Sequence, residues 1–155
     1  MKDITIKITG RRFVGDEAED EMEFISDGRM FDRNGARYYI YDESEFSGFP
    51  GCKTSLKLTE NALRMKRIGI GAVSGSEMVF EKGKRFISSY NTPYGSMDME
   101  VLTNDIKRNL TPDGFGRITA ATRSLQHAGY ACTTHDGHSL GRWQSRAWRA
   151  TCRCR

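Results

Sequence analysis

Alternation of apolar and polar residues, interrupted by turn residues, is the feature that most constrains the fold of this chain. Ile4, Ile6 and Ile8 begin the pattern near the amino end. A period of two places one set of side chains on a buried face and the other set in water, as in a β-strand. The same period recurs at Met22/Phe24, Tyr39/Tyr41, Leu56/Leu58, Leu63/Met65, Met78/Phe80, Phe86/Ser88 and Met97/Met99/Val101.

Turn dipeptides separate these runs, at Asp27-Gly28, Asn34-Gly35, Glu60-Asn61, Lys82-Gly83 and Asp113-Gly114. Residues of these types tolerate a positive φ, and most of these pairs stand between neighbouring runs, as hairpin turns do. The spacing predicts an all-β antiparallel meander of about nine short strands, with no convincing helical window. We expect so long a meander to close into a barrel, because closure removes exposed strand edges.

The composition changes abruptly near Ala121. Residues 1–121 carry 18 Lys and Arg against 19 Asp and Glu, whereas residues 122–155 carry six Arg, no Lys and one acidic residue, Asp136. Both tryptophans, all three histidines and three of the four cysteines follow that point, and every lysine, methionine and phenylalanine precedes it. We therefore predict a barrel domain at residues 1–121 and an atypical basic tail at residues 122–155.

The tail has some features of a nucleic-acid-binding arm, since arginine contacts phosphate and tryptophan stacks on bases. Charge blocks are more often disordered or weakly ordered tails, so we expect no specific nucleic-acid binding. A short helix is possible from Trp143 to Ala150. The tail also holds residue types that bind zinc, but their spacing matches no familiar zinc finger and predicts no metal site. These residues are Cys132, His135, His138, Cys152 and Cys154.

The segment ISSYNTPYGSMDMEVLTNDIKRNLTPDGFGRI, residues 87–118, resembles the YwiB-like family of small bacterial proteins. The features that carry the resemblance are the Tyr-x-Thr-Pro-Tyr-Gly turn at Tyr90 to Gly95, the alternating strand into Thr103 and the following Gly-Arg-Ile. The Leu-Arg-Met-Lys-Arg run at residues 63–67 also fits, so the likeness covers roughly residues 2–121. The resemblance implies a calycin-type barrel, the architecture of lipocalins, and no assigned activity.

The chain departs from the family pattern where its composition changes. After Gly-Arg-Ile, the resemblance implies an apolar strand and one further strand that completes the barrel, whereas here Ala121 is followed by the basic tail. We interpret the tail as an altered carboxyl terminus, most simply an out-of-frame reading of the gene or of its cloned copy. Loss of the closing strand would leave an unpaired edge and favour self-association, so a homo-oligomer through that edge is a candidate assembly.

Catalytic chemistry has little support in residues 1–121. They contain no histidine, which excludes a Ser-His-Asp triad or a Cys-His pair there. Cys52 is solitary and is expected to be a small buried hydrophobe. The glycine-rich GIGAVSG at residues 69–75 precedes a predicted strand rather than a helix, which argues against a phosphate loop. Asp42, Glu43 and Glu45 include enough carboxylates for a general acid and a general base. A cluster of this kind is more often an ordinary solvated turn.

The aromatic and methionine content suggests a ligand site inside the barrel, because methionine suits irregular cavities. Arg64 or Arg85, if one turned inward, would pair with an acidic head group. The candidate lining is Tyr39, Tyr41, Arg64, Met65, Arg85, Tyr90, Tyr94, Met97 and Met99. A core packed solid by side chains explains the same residues equally well.

These observations predict a non-enzymatic binder of a small amphipathic or acidic ligand. The alternatives are a structural or protein-interaction domain with a packed interior, and a hydrolase built on carboxylates alone. We expect no cofactor and no catalytic residue. The absence of a long apolar run predicts no membrane segment and no signal peptide, and so a cytoplasmic location.

Overall fold

The computed structural model describes residues 1–14, 17–45, 51–69, 76–92, 95–125 and 146–153. The described residues form strands separated by short turns and contain no α-helix. The strands are β1 (Lys2–Val14), β2 (Glu17–Arg33), β3 (Ala36–Asp42), β4 (Lys53–Leu58), β5 (Ala62–Ile68), β6 (Glu77–Glu81), β7 (Arg85–Thr92), β8 (Gly95–Leu110), β9 (Gly116–Leu125) and β10 (Arg146–Arg153).

All the ladders between these strands are antiparallel, and they join the described strands into one sheet. The order is β6-β5-β4-β3-β2-β1-β10-β9-β8-β7. The two strands at the ends of this order, β6 and β7, are consecutive in the chain, and the Ser88 hydroxyl donates to the Glu77 carbonyl across them at 2.6 Å. The sheet therefore curls so that its two edges approach each other, with no ladder between β6 and β7 among the described residues, and the predicted all-β antiparallel, calycin-like fold is confirmed.

The inner face of the sheet holds the core predicted by the alternation. Ile4, Ile6 and Ile8 are each at most 4% exposed. They pack in one apolar cluster with buried residues of the other strands, among them Phe24, Met30, Tyr39, Leu56, Met65, Phe80, Val101 and Ile118. A bulge between Thr103 and Asp105 lets β8 keep apolar residues in the core on both sides of it, since Val101 before it and Ile106 after it both pack there.

Two of the glycine dipeptides have different structural roles. Asn34 and Gly35 form the tight turn between β2 and β3, with φ of 52° and 70°, as predicted for a hairpin. The prediction of a turn at Asp27-Gly28 is wrong, because both residues lie inside β2. A Cβ on Gly28 would stand 2.4 Å from the Ile40 carbonyl oxygen. Glycine is therefore required there by the close approach of β3.

The carboxyl-terminal part contains more strand than the sequence indicates. Strand β9 continues to Leu125, and β10 pairs with β1 on one side and β9 on the other, with Ile8 opposite Ala150 and Ala150 opposite Ile118. Arg146–Arg153 is a strand, so the helix considered for this stretch is wrong there. Strand β10 thus pairs where the loss of a closing strand was expected to leave an unpaired edge, because ladder hydrogen bonds use the backbone and depend little on side-chain type. Residues 126–145 lie outside the described residues.

Candidate functional site

The barrel has two ends that differ in their connections. We call the end with the turns at residues 34–35, 59–61, 82–84 and 111–115 the turn end. We call the other end, where β3 passes to β4 and β5 to β6 through residues 43–52 and 69–76, the loop end. The polar inner side chains at these two ends have different kinds of hydrogen-bond partner.

Strand β5 shows how the sheet places a charged residue at the loop end. Leu63, Met65 and Arg67 alternate on the buried face, with relative exposures of 6%, 6% and 7%. Arg64 lies between them on the outer face, where its guanidinium pairs with Glu77 at 3.1 Å and remains 54% exposed. The arginine that turns inward is therefore Arg67, and Arg64, a candidate only if it turned inward, lies on the outer face.

Four inner side chains at the loop end form a buried polar cluster, which we call the loop-end cluster: Tyr41, Glu43, Thr54 and Arg67. The β3–β4 and β4–β5 ladders place Tyr41 opposite Thr54 and Thr54 opposite Arg67, so three of the four share one row across the sheet. Glu43 follows the end of β3 and reaches the same row. The Thr54 hydroxyl donates to Glu43 Oε1, and Arg67 Nε donates to that oxygen at 3.4 Å.

The charges of the loop-end cluster are almost fully removed from water. The side chain of Glu43 is 2% exposed and that of Arg67 is 9% exposed. Desolvation of such a pair costs about as much as, or more than, the attraction returns, and an apolar pair of similar volume is often equally stable. Burial, followed by the negative charge of Glu43, raises the pKa of the Tyr41 hydroxyl far above its usual value.

A further hydroxyl lies beside Arg67. Ser76 precedes β6, and its carbonyl accepts the Arg67 backbone N–H at 2.9 Å. The Ser76 Oγ is buried and has no hydrogen-bond partner in the part of the chain that the structure describes. A buried hydroxyl without a partner costs about 1–3 kcal/mol, so such atoms are uncommon and often mark a binding position.

The turn end is closed by backbone instead. The Tyr39 hydroxyl donates to the Gly114 carbonyl at 2.9 Å, and Arg37 donates to the Pro112 carbonyl at 3.1 Å. Arg37 is also held by Asp32 through two hydrogen bonds of 2.7 and 3.1 Å, which lower the pKa of the Asp32 carboxyl. The turn between β8 and β9 therefore covers the inner face at this end.

The structure brings some of the predicted lining residues together. Tyr39, Tyr41 and Met65 lie on the inner face and are at most 6% exposed. Arg85, the other candidate if it turned inward, lies on the outer face, 64% exposed, with its guanidinium 3.3 Å from Glu100. The side chains of Tyr90, Met97 and Met99, and the whole of Tyr94, lie outside the described residues.

A second polar group lies on the inner face between β7, β8 and β9. Ser88, Thr103 and Thr122 are all buried, and Thr103 is opposite Thr122 in the ladder. Thr103 is 0% exposed, and its Oγ1 has no hydrogen-bond partner among the residues with described placement. The inner face is thus apolar in its centre with hydroxyl groups on one wall.

The remaining sequence motifs divide between confirmed and corrected interpretations. Cys52 is buried, 5% exposed, as expected of a small hydrophobe, and its sulfur lies where a Cβ on Gly69 would stand. Asp42 is exposed and pairs with Lys53 at 2.5 Å, while Glu45 is exposed and Glu43 is buried. These three carboxylates therefore point to different environments and do not form an acid–base pair. Residues 70–75 of the glycine-rich stretch lie outside the described residues.

The outer face carries a groove of about 620 Å³ over β1 to β4. Its lining includes three carboxylates, Asp3, Asp27 and Asp42, and two cations, Arg29 and Lys53. Asp42 and Lys53 pair with each other, and the Thr5 hydroxyl donates to Asp27 at 3.4 Å. Most of its polar groups thus have partners on the surface, and the groove offers no concentrated charge.

The described ranges hold neither a metal-binding group nor a membrane-spanning helix. No group of three or more His, Cys, Asp and Glu residues there has a geometry that would hold a metal ion. Cys132, His135 and His138 of the tail lie outside those ranges. Within the same ranges, no helix has the length and apolar character needed to cross a membrane.

The loop-end cluster was missed in the sequence although a signal for it was present. In the sequence, Glu43 stands in a group with Asp42 and Glu45, and no motif singles out Thr54. The signal was the parity of the alternation: Arg67 is two residues from Met65, whereas Arg64 is adjacent to it, so only Arg67 shares the methionine's face. Parity across β3 and β5 would have identified Glu43 and Arg67 as inner residues.

Comparison with known proteins gives a family and a fold. A family model described as "Domain of unknown function (DUF1934)" matches residues 6–121, ending where the composition changes. No curated protein matches the chain. A structure described as the crystal structure of the ywiB protein from Bacillus subtilis is similar, with a TM-score of 0.69 and 21% identity, covering 97% of this chain and 91% of that one. At this identity the likeness supports the fold alone, and the predicted resemblance is confirmed.

Proposed function

We propose that this chain, which belongs to the DUF1934 family of domains of unknown function, binds a small amphipathic or acidic ligand on the inner face of its barrel. In this proposal the protein catalyses no reaction. The single observation that carries this proposal is the buried Glu43–Arg67 pair of the loop-end cluster. An interior that served only for stability would gain as much from apolar side chains, so a buried charge pair there suggests recognition.

The surroundings of the cluster fit an amphipathic ligand. The ring of Phe24 packs against that of Tyr41 with centroids 6.1 Å apart, and Leu56 and Met65 are opposite each other one row further into the core. A polar head group at Arg67 would therefore have apolar side chains next to it. The closed turn end leaves the loop end as the side from which a ligand would enter.

A neutral fluorescent probe tests this proposal directly. We expect N-phenyl-1-naphthylamine to bind purified protein with a blue-shifted, enhanced emission and a stoichiometry near one. Arg67→Met is expected to change the affinity, whereas the matched control Arg64→Gln, on the outer face of the same strand, is expected to leave it unchanged. Native mass spectrometry of freshly purified protein, compared with the denatured mass, would reveal a retained ligand. Absence of both probe binding and a retained adduct would reject the proposal.

A second candidate function is a protein-interaction domain that associates through the seam of the barrel. In the described part of the chain, fifteen buried residues form one apolar cluster, which suits a packed interior. Strands β6 and β7 end the strand order, and Ile87 of β7 is 64% exposed. An exposed apolar residue on an edge strand favours pairing with a second copy of the chain.

Analytical ultracentrifugation distinguishes this second candidate. If β7 mediates association, the protein should sediment as a dimer and Ile87→Lys should convert it to a monomer. Ile25→Lys is the matched control, because Ile25 is similarly exposed at 63% but lies in β2, which is not one of the two strands that end the strand order. A wild-type monomer at all concentrations would exclude this function.

A further inference from the structure

We infer that Glu43 occupies the head-group position of the loop-end cluster, and that the natural ligand is an amphipathic carboxylic acid whose carboxylate replaces that of Glu43. This inference rests on the proposed ligand-binding function and assigns it a chemical class. It also assigns opposite roles to the two charged residues: Arg67 binds the ligand, and Glu43 competes with it.

The hydrogen bonds of Glu43 are those of a bound carboxylate. Its Oε1 accepts from a hydroxyl, that of Thr54, and from a guanidinium, that of Arg67. Arginine is the side chain best suited to carboxylates, because its planar donors match their two oxygens. The protein therefore already contains a carboxylate-binding site, and its occupant in this structure is a residue of the chain itself.

The donors and the acceptor differ in how firmly the fold holds them. Thr54 and Arg67 lie within β4 and β5. Ladders on both sides hold the backbone of Thr54, and the ladder to β4 together with the N–H bond to the Ser76 carbonyl holds that of Arg67. Glu43 lies beyond the end of β3, where its backbone N–H donates to the Cys52 carbonyl at 2.8 Å. Rotation of the Glu43 side chain would release Thr54 and Arg67 without breaking that bond or any ladder, so the exchange requires no change in the sheet.

Charge determines which ligand can make the exchange. A neutral head group would not replace the negative charge that leaves the cluster with Glu43, and removal of one partner of a buried ion pair is costly. A second carboxylate added beside Glu43 would meet like-charge repulsion in a region of low dielectric. An anion that replaces Glu43 one for one leaves the net charge of the cluster unchanged. Ser76, whose carbonyl accepts the Arg67 backbone N–H, also carries a buried hydroxyl with no hydrogen-bond partner among the described residues.

The test compares a fluorescent acid with its own ester. The probes are 11-(dansylamino)undecanoic acid and its methyl ester, titrated into wild type, Glu43→Gln, Arg67→Gln and the control Glu77→Gln. Glu77 is the partner of the exposed Arg64, so its substitution removes the same charge outside the barrel. We expect wild type to prefer the acid over the ester by about tenfold, which corresponds to about 1.4 kcal/mol.

The variants separate the two assigned roles. Glu43→Gln should bind the acid about tenfold more tightly than wild type, with little change for the ester, because the competitor is gone while Arg67 keeps its charge. Arg67→Gln should bind acid and ester equally, and Glu77→Gln should match wild type. As a second readout, sodium decanoate should raise the melting temperature of Glu43→Gln more than that of wild type, because the added carboxylate restores the missing partner.

Each other result overturns the inference in a recognisable way. Equal binding of acid and ester by wild type would reject the acidic ligand class while leaving the proposed binding function intact. Weaker or unchanged acid binding by Glu43→Gln, without stabilisation by decanoate, would show that Glu43 supports the ligand instead of competing with it. Failure of both probes to bind any folded variant would reject the inference together with the proposed function.

Discussion

The two ends of the barrel bury polar side chains of the same strand, β3, in different ways. At the turn end, Tyr39 donates to a backbone carbonyl supplied by the β8–β9 turn. At the loop end, Tyr41 lies beside Glu43, Thr54 and Arg67, where the partners are charged side chains. A backbone partner is fixed by the fold, whereas a side-chain partner can be exchanged for a ligand. The difference teaches that contacts set by the fold close the turn end, and the proposed function assigns recognition to the loop end.

The largest expected effect on the free energy of unfolding comes from breaking the charge pair at the loop end. Arg67→Met leaves the Glu43 carboxylate buried without its cation, and we expect a loss of about 3–5 kcal/mol in the free energy of unfolding. The double variant Glu43→Leu/Arg67→Met should recover most of that loss, because neither charge is then buried. Urea denaturation monitored by circular dichroism measures both values.

The exposed pair between Arg64, on the same strand as Arg67, and Glu77 is the control for that prediction. Arg64→Gln should change stability by no more than about 1 kcal/mol, because its pair with Glu77 is largely solvated. A loss from Arg64→Gln as large as that from Arg67→Met would show that the buried position of the loop-end pair has no special energetic role.

The pH dependence of stability sharpens the comparison at Tyr41. The pKa of Tyr41 is raised in the folded protein above about 10, its value in an unfolded chain. The contribution of Tyr41 to stability is therefore fully present below pH 10. As the pH rises above that value, the free energy of unfolding falls by up to about 1.4 kcal/mol per pH unit. Urea unfolding between pH 9 and 11 should show a smaller decline in the free energy of unfolding for Tyr41→Phe than for wild type.

At the turn end, removal of one hydroxyl tests the role of the backbone partner. Tyr39→Phe leaves the Gly114 carbonyl buried without its donor, and we expect a loss of about 1–3 kcal/mol. Ligand binding at the loop end should be unaffected, because the substitution leaves the cluster intact. A change in probe affinity larger than the change at Arg64→Gln would contradict the division of roles between the two ends.

The smallest effect concerns the turn that covers the turn end. Gly114 and Gly35 have φ of 93° and 70°, and a Cβ on Gly114 would also meet Arg37 at 2.6 Å and Met30 at 2.8 Å, whereas Gly35 has open space. Gly35→Ala should cost about 1 kcal/mol for its backbone conformation alone. Gly114→Ala should cost a few tenths more, because Arg37 and Met30 must move. Equal melting temperatures of the two variants would show that this contact is not restrictive.

Much of the fold was predictable, because strand formation and face assignment follow from local alternation. The inner positions of β1 and β5 were correct where parity was followed, as at Ile6 and Met65. The error at Arg64 came from assigning two adjacent residues to one face, which a strand does not allow. Gly28 was misread because glycine serves both turns and close strand contacts, and sequence alone does not distinguish these uses.

The carboxyl-terminal region shows a second limit. The unusual composition after residue 121 coincides with the end of the family match, and we retain the proposal that this tail is altered from the family pattern. Its strand β10 nevertheless pairs on both sides, with β1 and β9. Composition describes side chains, whereas a ladder is formed by backbone groups, so a foreign sequence can still occupy a strand position.

The sequence by itself determined the all-β class, most of the strand faces and the change of composition after residue 121. Only the tertiary structure decided that Glu43 and Arg67, 24 residues apart, meet on one inner row. The physical reason is that alternation is a property of each strand alone, whereas this contact depends on the registers of two successive ladders, β3 with β4 and β4 with β5. A shift of one residue in either ladder would leave both strands amphipathic and separate the two charges.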